Sequence, residues 1–206
     1  MSIDPRTLLS LEAYAAVRAT VRTRMIGYRR ARSVGLGPSM RLCFEDETTL
    51  RYQIQEVLRA ERLHSGPDRA EQAALYSRWL PSAERWTATL MIELPAPLPE
   101  PARLHALSRA VHRIYLACRP GARVFALANG DLPDRHLGRP SGVHFLAFEL
   151  DDGLRRGAAA RRHIELGCDD DEYAFRRQLP ALLRDALALD ALPHGQPRHA
   201  ATEPDP

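Results

Sequence analysis

The sequence predicts an α+β fold, a mainly antiparallel sheet with helices packed on it and a long N-terminal helix. Three observations lead there. Tyr14, Val17, Val21, Met25 and Tyr28 recur every three or four residues, the period of one helical face. Trp86, Ala88, Leu90, Ile92 and Leu94 alternate with Thr87, Thr89, Met91 and Glu93, as residues on the two faces of a strand do. From Ile114 onward, several strand-like stretches are joined by connections of hairpin length, which favours antiparallel pairing.

The first helix can be capped by Ser10 or Thr7, and Arg29, Arg30 and Arg32 crowd its end, where cations meet the negative pole of the helix dipole. Gly35 suits the left-handed residue that closes a helix, so the pair Gly35 and Gly37 reads as a stop signal. A phosphate-cradling loop would instead need a strand before it and a helix after. Met40 to Glu45 alternates as a strand. Between Thr48 and Leu63 a strand period and a helix period compete; Leu50, Ile54, Val57 and Leu58 extend the helical one further, and the Leu, Arg, Glu and Gln composition favours helix. Ser65 to Asp68 breaks it, and Arg69 to Trp79 is a second, shorter helix. The strand from Trp86 to Leu94 stops at Pro95, Pro97, Pro99 and Pro101. A helix over Leu104 to Val111 follows. The next strands are Ile114 to Cys118, Arg123 to Ala128, Gly142 to Leu150, Arg161 to Gly167 and Tyr173 to Leu179, before a closing helix from Pro180 to Leu192. Residues 1–192 are expected to form one domain, and Pro193 to Pro206, rich in proline and poor in apolar residues, a disordered tail.

Composition narrows the function. All 29 basic residues are arginine, which excludes chemistry that needs a lysine amine, such as a Schiff base or a phosphate-loop lysine. Cys43, Cys118 and Cys168 are odd in number and 75 and 50 residues apart, unlike a secreted disulfide framework, and fit a reducing cytoplasm. No leader-like or membrane-spanning apolar run is present. The motifs HExxH and GxSxG are missing, and no cysteine is paired with a nearby histidine in a catalytic pattern, so neither zinc nor nucleophilic hydrolysis has local support.

Charge is the strongest functional signal. Seven arginines and no acid lie between Ala13 and Phe44, a block of +7 in a chain whose remainder sums to −4. Such a surface attracts carboxylates, phosphates or a partner's acidic face. The densest polar constellation is LRYQIQEVLRAER, Leu50 to Arg62. On a helix Arg51, Gln55, Arg59 and Arg62 share a stripe that could clamp a carboxylate or phosphate. The same arginines can instead pair with Glu56, Glu61 and the acids Glu45, Asp46 and Glu47, as on any solvated helix face. His144 lies on a largely apolar strand and is either a hydrogen-bonded core residue or a ligand contact. His105 and His112 flank Arg109 without a matching carboxylate, and His163 with Glu165 makes only two of the ligands that a metal needs. The acids Glu165, Asp169, Asp170, Asp171 and Glu172 lack the spacing and turn glycine of a calcium loop, and attraction to the basic first helix accounts for them more simply. Aromatic residues at 6% and the lack of a recognised signature argue against nucleic acid despite the pI of 9.0.

The stretches LLSLEAY, ARSVGLGPSMRLCFED, LRYQIQEVLRAER and SGVHFLAFEL, with TLMIELP and RVFALAN, resemble the uncharacterised bacterial family named domain of unknown function 3501, over about Leu8 to Leu187. Arg51, Tyr52, Gln53, Gln55, Glu56, Arg59, Glu61, Arg62 and His144 match its pattern, whereas Asp170 stands where relatives offer a histidine. The resemblance implies no reaction. It does imply a context, because relatives tend to be encoded beside rubrerythrin-like di-iron proteins and iron–sulfur oxidoreductases. The expectation is therefore a cytoplasmic accessory or binding protein whose partner is a rubrerythrin-like or iron–sulfur protein. The alternative is an enzyme or sensor that holds a small anion with Arg51, Gln55, Glu56, Arg59, Arg62 and His144.

Overall fold

A computed structural model of the chain describes residues 2–94, 100–118, 122–128 and 142–190. Helix α1 (Leu11–Ala31) begins where the Ser10 side chain accepts the amide of Ala13. Thr7 instead ends a short 3-10 turn, Pro5–Thr7. The helix stops at Arg32, and Gly35 does not close it. Gly35 lies inside β1 (Ser33–Leu36), which forms an antiparallel hairpin with β2 (Met40–Phe44). The GxG is therefore the approach to a hairpin turn rather than a helix stop. Gly37 is required there twice over: its φ is +70°, and an added Cβ would stand 2.6 Å from the Tyr173 hydroxyl.

Asp46 caps α2 (Glu47–Ala60), which confirms helix over strand where the two periods competed. Ser65 caps α3 (Gly66–Ser77), so Ser65 to Asp68 is the first turn of that helix and not a break before it. The chain continues through β3 (Arg85–Ile92), α4 (Pro101–Ala110), β4 (Ile114–Cys118), β5 (Arg123–Phe125), β6 (Leu127–Ala128), β7 (Val143–Glu149), α5 (Asp152–Ala159), β8 (Ile164–Cys168), β9 (Phe175–Gln178) and α6 (Ala181–Asp190). Pro95, Pro97 and Pro99, and the expected tail from Pro193 to Pro206, lie outside the described residues.

The α+β class holds, with every described strand pairing antiparallel, but the described strands make two sheets. One has the order β1-β2-β3-β7-β6 and the other β5-β4-β8-β9. The stretch Arg123 to Ala128 was expected as one strand. It switches sheets at buried Ala126, pairing with β4 before the switch and with β7 after it. The inner faces of both sheets share a single core. Met40, Leu42, Phe44, Trp86, Leu90, Leu146 and Phe148 come from the first, and Ile114, Leu116, Ile164 and Leu166 from the second. Helices α4, α5 and α6 add Leu107, Leu154 and Leu183 to it. Helix α5 has Gly157 against β4 because any Cβ there would meet the Cys118 sulfur at 2.3 Å.

A smaller apolar cluster of Ile3, Leu8, Leu50, Ile54, Leu58, Ala73 and Leu80 binds α2 and α3 to each other and to the N-terminal turn. This layer covers the outer face of the first sheet, where Trp79 and Tyr76 pack on Phe145 with ring centroids 5.0 and 6.5 Å apart. Helix α1 lies along α2. No described helix is long and apolar enough to cross a membrane.

Candidate functional site

The residues of α2 singled out by sequence do not converge on one pocket. Arg51 donates to the Thr7 carbonyl at 2.9 Å and stands 3.6 Å from Glu47. Gln55 is buried; its Oε1 accepts the Leu9 amide at 2.6 Å and its Nε2 donates to the Leu9 carbonyl at 3.4 Å. Both side chains therefore tie the N-terminal segment to α2. Gln55→Leu is expected to cost about 1 kcal/mol, because the Leu9 backbone groups lose a fitted partner. Urea denaturation with an unchanged slope would show it.

Glu56 is the most heavily bonded of the set. It accepts the Tyr14 hydroxyl at 2.7 Å and both Nε and Nη2 of Arg18 at 2.8 Å, while Arg59 approaches at 3.4 Å. The Arg18 hydrogen bonds hold its carboxyl down at about 2, against the opposing effect of partial burial. Arg59 and Arg62 are exposed, and Arg62 follows the helix with φ +55°. His144 pairs with Leu90 and alternates with core Leu146 and Phe148. It thus shares the inner face of the sheet, whereas α2 and α3 cover the outer one. A small-anion site that joins Arg51, Gln55 and Arg59 to His144 would have to cross the sheet.

The acidic cluster does not face α1. Asp169 pairs with Arg113 at 2.9 Å and Arg123 at 3.0 Å, and Arg109 reaches Asp170 at 3.5 Å and Glu172 at 2.7 Å. The +7 block divides instead. Arg18 is held by Glu56, Arg41 by Glu93 at 3.1 Å, and Arg32 by Asp46 and Asp190. No described carboxylate lies within 4 Å of Arg22, Arg24, Arg29 or Arg30. Of these, Arg22, Arg24 and Arg30 are exposed and Arg29 is half-buried. Arg22, Ile26, Arg29 and Arg30 fall on one flank of α1, and Ile26 is 63% exposed. Of the 21 residues of α1 only Tyr14 and Met25 are buried.

Sequence reasoning missed a second polar centre at the end of β2. Arg32, closing α1, donates to the carbonyls of Phe44 at 2.9 Å and Glu45 at 3.1 Å, lies 3.3 Å from Asp46, and also bonds Asp190. Tyr28 donates to Asp46, and burial together with that bond pushes its hydroxyl up to about 12. Glu45, next to Asp46, is only 1% exposed. It accepts Gln53 Nε2 at 2.8 Å, Thr89 Oγ1 at 2.5 Å and a contact from Thr49 Oγ1. Burial drives its carboxyl up, partly offset by these bonds and by the charge of Arg29. The available signal was the alternation Arg41, Cys43, Glu45, which places Glu45 on the face that α2 covers. Among the described residues no group of three or more His, Cys, Asp or Glu is arranged to hold a metal ion.

A family model described as "Protein of unknown function (DUF3501)" matches residues 2–191. The chain is similar to a solved structure, a novel protein of unknown function from Burkholderia pseudomallei K96243. Identity is 34% and the TM-score 0.83, over 92% of this chain and 99% of that one. No curated protein matches.

Proposed function

The chain belongs to the DUF3501 family of proteins of unknown function, and as that membership carries no reaction, we propose from its own geometry a cytoplasmic accessory protein that binds an acidic partner through α1. One observation carries the reading: Arg22, Arg24, Arg29 and Arg30 have no described carboxylate within 4 Å, while their neighbours Arg18, Arg32 and Arg41 are each neutralised. Four charges of one sign on a largely uncovered helix steer an oppositely charged surface and select against a basic one. Ile26 supplies an apolar contact among Arg22, Arg29 and Arg30. The three cysteines are buried and free, the state that a reducing cytoplasm maintains. The partner we would try first is a rubrerythrin-like di-iron or an iron–sulfur protein, the context that the sequence resemblance led us to expect.

Calorimetric titration of such a partner against the purified chain, at low and high salt, is the test. Affinity is expected to fall with salt, and the triple charge reversal Arg22→Glu, Arg29→Glu, Arg30→Glu to weaken it by about tenfold or more. Binding that ignores both salt and the reversal contradicts the proposal. A second reading, a small anion at the end of α2, has in its favour that Arg59 and Arg62 are exposed and that Glu56, the only described carboxylate near Arg59, is already held by Arg18. Inorganic phosphate at 100 times its dissociation constant would then stabilise by about 2.7 kcal/mol, and Arg59→Ala would abolish that shift.

A further inference from the structure

Glu45 and Asp46 are adjacent acids, both buried, with opposite surroundings. Asp46 receives the Arg32 guanidinium. Glu45 has no described arginine within 4 Å of its carboxyl, and its bonded partners, Thr49, Gln53 and Thr89, are all neutral. The other ionisable groups that face it are Arg29 from α1, Cys43 on its own strand and Tyr76 from α3. A carboxylate removed from water with no cation in contact is disfavoured relative to its acid form.

The hydrogen-bond count points the same way. Thr49 Oγ1 lies 2.9 Å from the Asp46 amide and 3.0 Å from the Asp46 carbonyl, besides its contact to Glu45 Oε2. A hydroxyl has one hydrogen and two lone pairs. With Glu45 neutral, its O–H donates to Thr49, which accepts the Asp46 amide as well and gives its own hydrogen to the Asp46 carbonyl. Oε1 meanwhile accepts from Gln53 and Thr89. Every contact is then served at once. With Glu45 ionised, Thr49 must turn its hydrogen to Oε2 and give up its bond to the Asp46 carbonyl, which then keeps only the Leu50 amide at 3.0 Å.

We propose that Glu45 is a proton-controlled latch that seats the α2–α3 layer on the outer face of the first sheet. It links the end of β2, the first turns of α2 and the middle of β3 through one carboxyl, and α1 rides on that layer through Glu56. Protonation closes the latch; loss of the proton leaves an anion among neutral donors and loosens α2. The sign follows from burial raising the folded-state value above the unfolded one: the stabilisation is complete below the unfolded glutamate's range and is lost as pH rises through Glu45's own. The latch stands whether or not α1 binds a partner.

Carbon-13 NMR of the glutamate side chains, with amide hydrogen exchange of α2 corrected for intrinsic rate, tests this. One glutamate carboxyl is expected to titrate above the ordinary range, to vanish in Glu45→Gln, and to move further upward in Thr89→Val, which deletes a donor that favours the anion. Exchange in α2 should accelerate through that titration in the unmodified protein and stay flat in Glu45→Gln. If every glutamate titrates in or below the ordinary range, or the raised one survives Glu45→Gln, the latch is wrong. Should Glu45→Gln fail to fold, Thr89→Val alone decides: an unmoved titration overturns the proposal.

Discussion

Replacing Arg32 with alanine is expected to remove about 3–5 kcal/mol of stability, the cost of stripping one partner from a buried ionic group. Arg32 closes α1, donates to the carbonyls at the end of β2, meets the residue that caps α2, and binds Asp190 at the end of α6. Three elements of the first sixty residues and one from the far end of the chain thus share one guanidinium. Alanine leaves Asp46 and Asp190, both buried, without that cation, and Tyr28 alone cannot neutralise Asp46. The combination Arg32→Met, Asp46→Asn, Asp190→Asn should recover much of the loss, since removing the charges together removes the desolvation cost as well. Guanidinium chloride unfolding of both variants checks this. A loss under about 1 kcal/mol for Arg32→Ala, the scale of an exposed pair, would mean that the network is solvated.

Stability is also expected to fall in acid through Glu56. Its folded value of about 2 lies below the ordinary glutamate value of 4.5. The contribution is therefore complete above about pH 4.5 and is lost as pH drops through 2. Linkage alone would give at most ~3 kcal/mol. About a quarter of the Glu56 side chain is exposed, and screening reduces the expectation to about 1–2 kcal/mol. Glu56→Gln should lose that amount at neutral pH and show a flatter acid limb, measured by urea unfolding at a series of pH values. Parallel limbs for the two proteins would show that the Arg18 and Tyr14 contacts do not persist in solution.

The strands were legible wherever period-2 alternation ran for five residues or more. Strand β4 falls on Ile114 to Cys118 as expected, β7 lies within the expected stretch, and β3 starts one residue before Trp86 and ends two before Leu94. Strand β1 was hidden because Gly35 and Gly37 read as a helix stop, although a tight hairpin uses glycine equally well. Helix α5 was hidden because it is short and carries Gly153 and Gly157, poor helix formers that packing against Cys118 overrides. Nothing local marks the switch of sheets at Ala126.

The site was legible as charge and illegible as geometry. Counting arginines located the +7 block, but the carboxylates that neutralise three of its members lie 38 residues away for Arg18, 52 for Arg41 and 158 for Arg32 with Asp190. Which guanidiniums stay uncommitted is a property of the tertiary structure. Glu45 was equally ambiguous, since a charged residue at a strand end is usually exposed and only the seating of α2 and α3 buries it.

The most direct measurement is a hydrogen-exchange footprint of the proposed acidic partner on this protein. Protection should concentrate on α1 from Arg22 to Arg30, where Arg22, Arg24, Arg29 and Arg30 lack a described carboxylate, and should fade as salt is raised. A footprint on the second sheet around Arg123 and Arg176, or no footprint at low salt, would contradict α1 as the docking face.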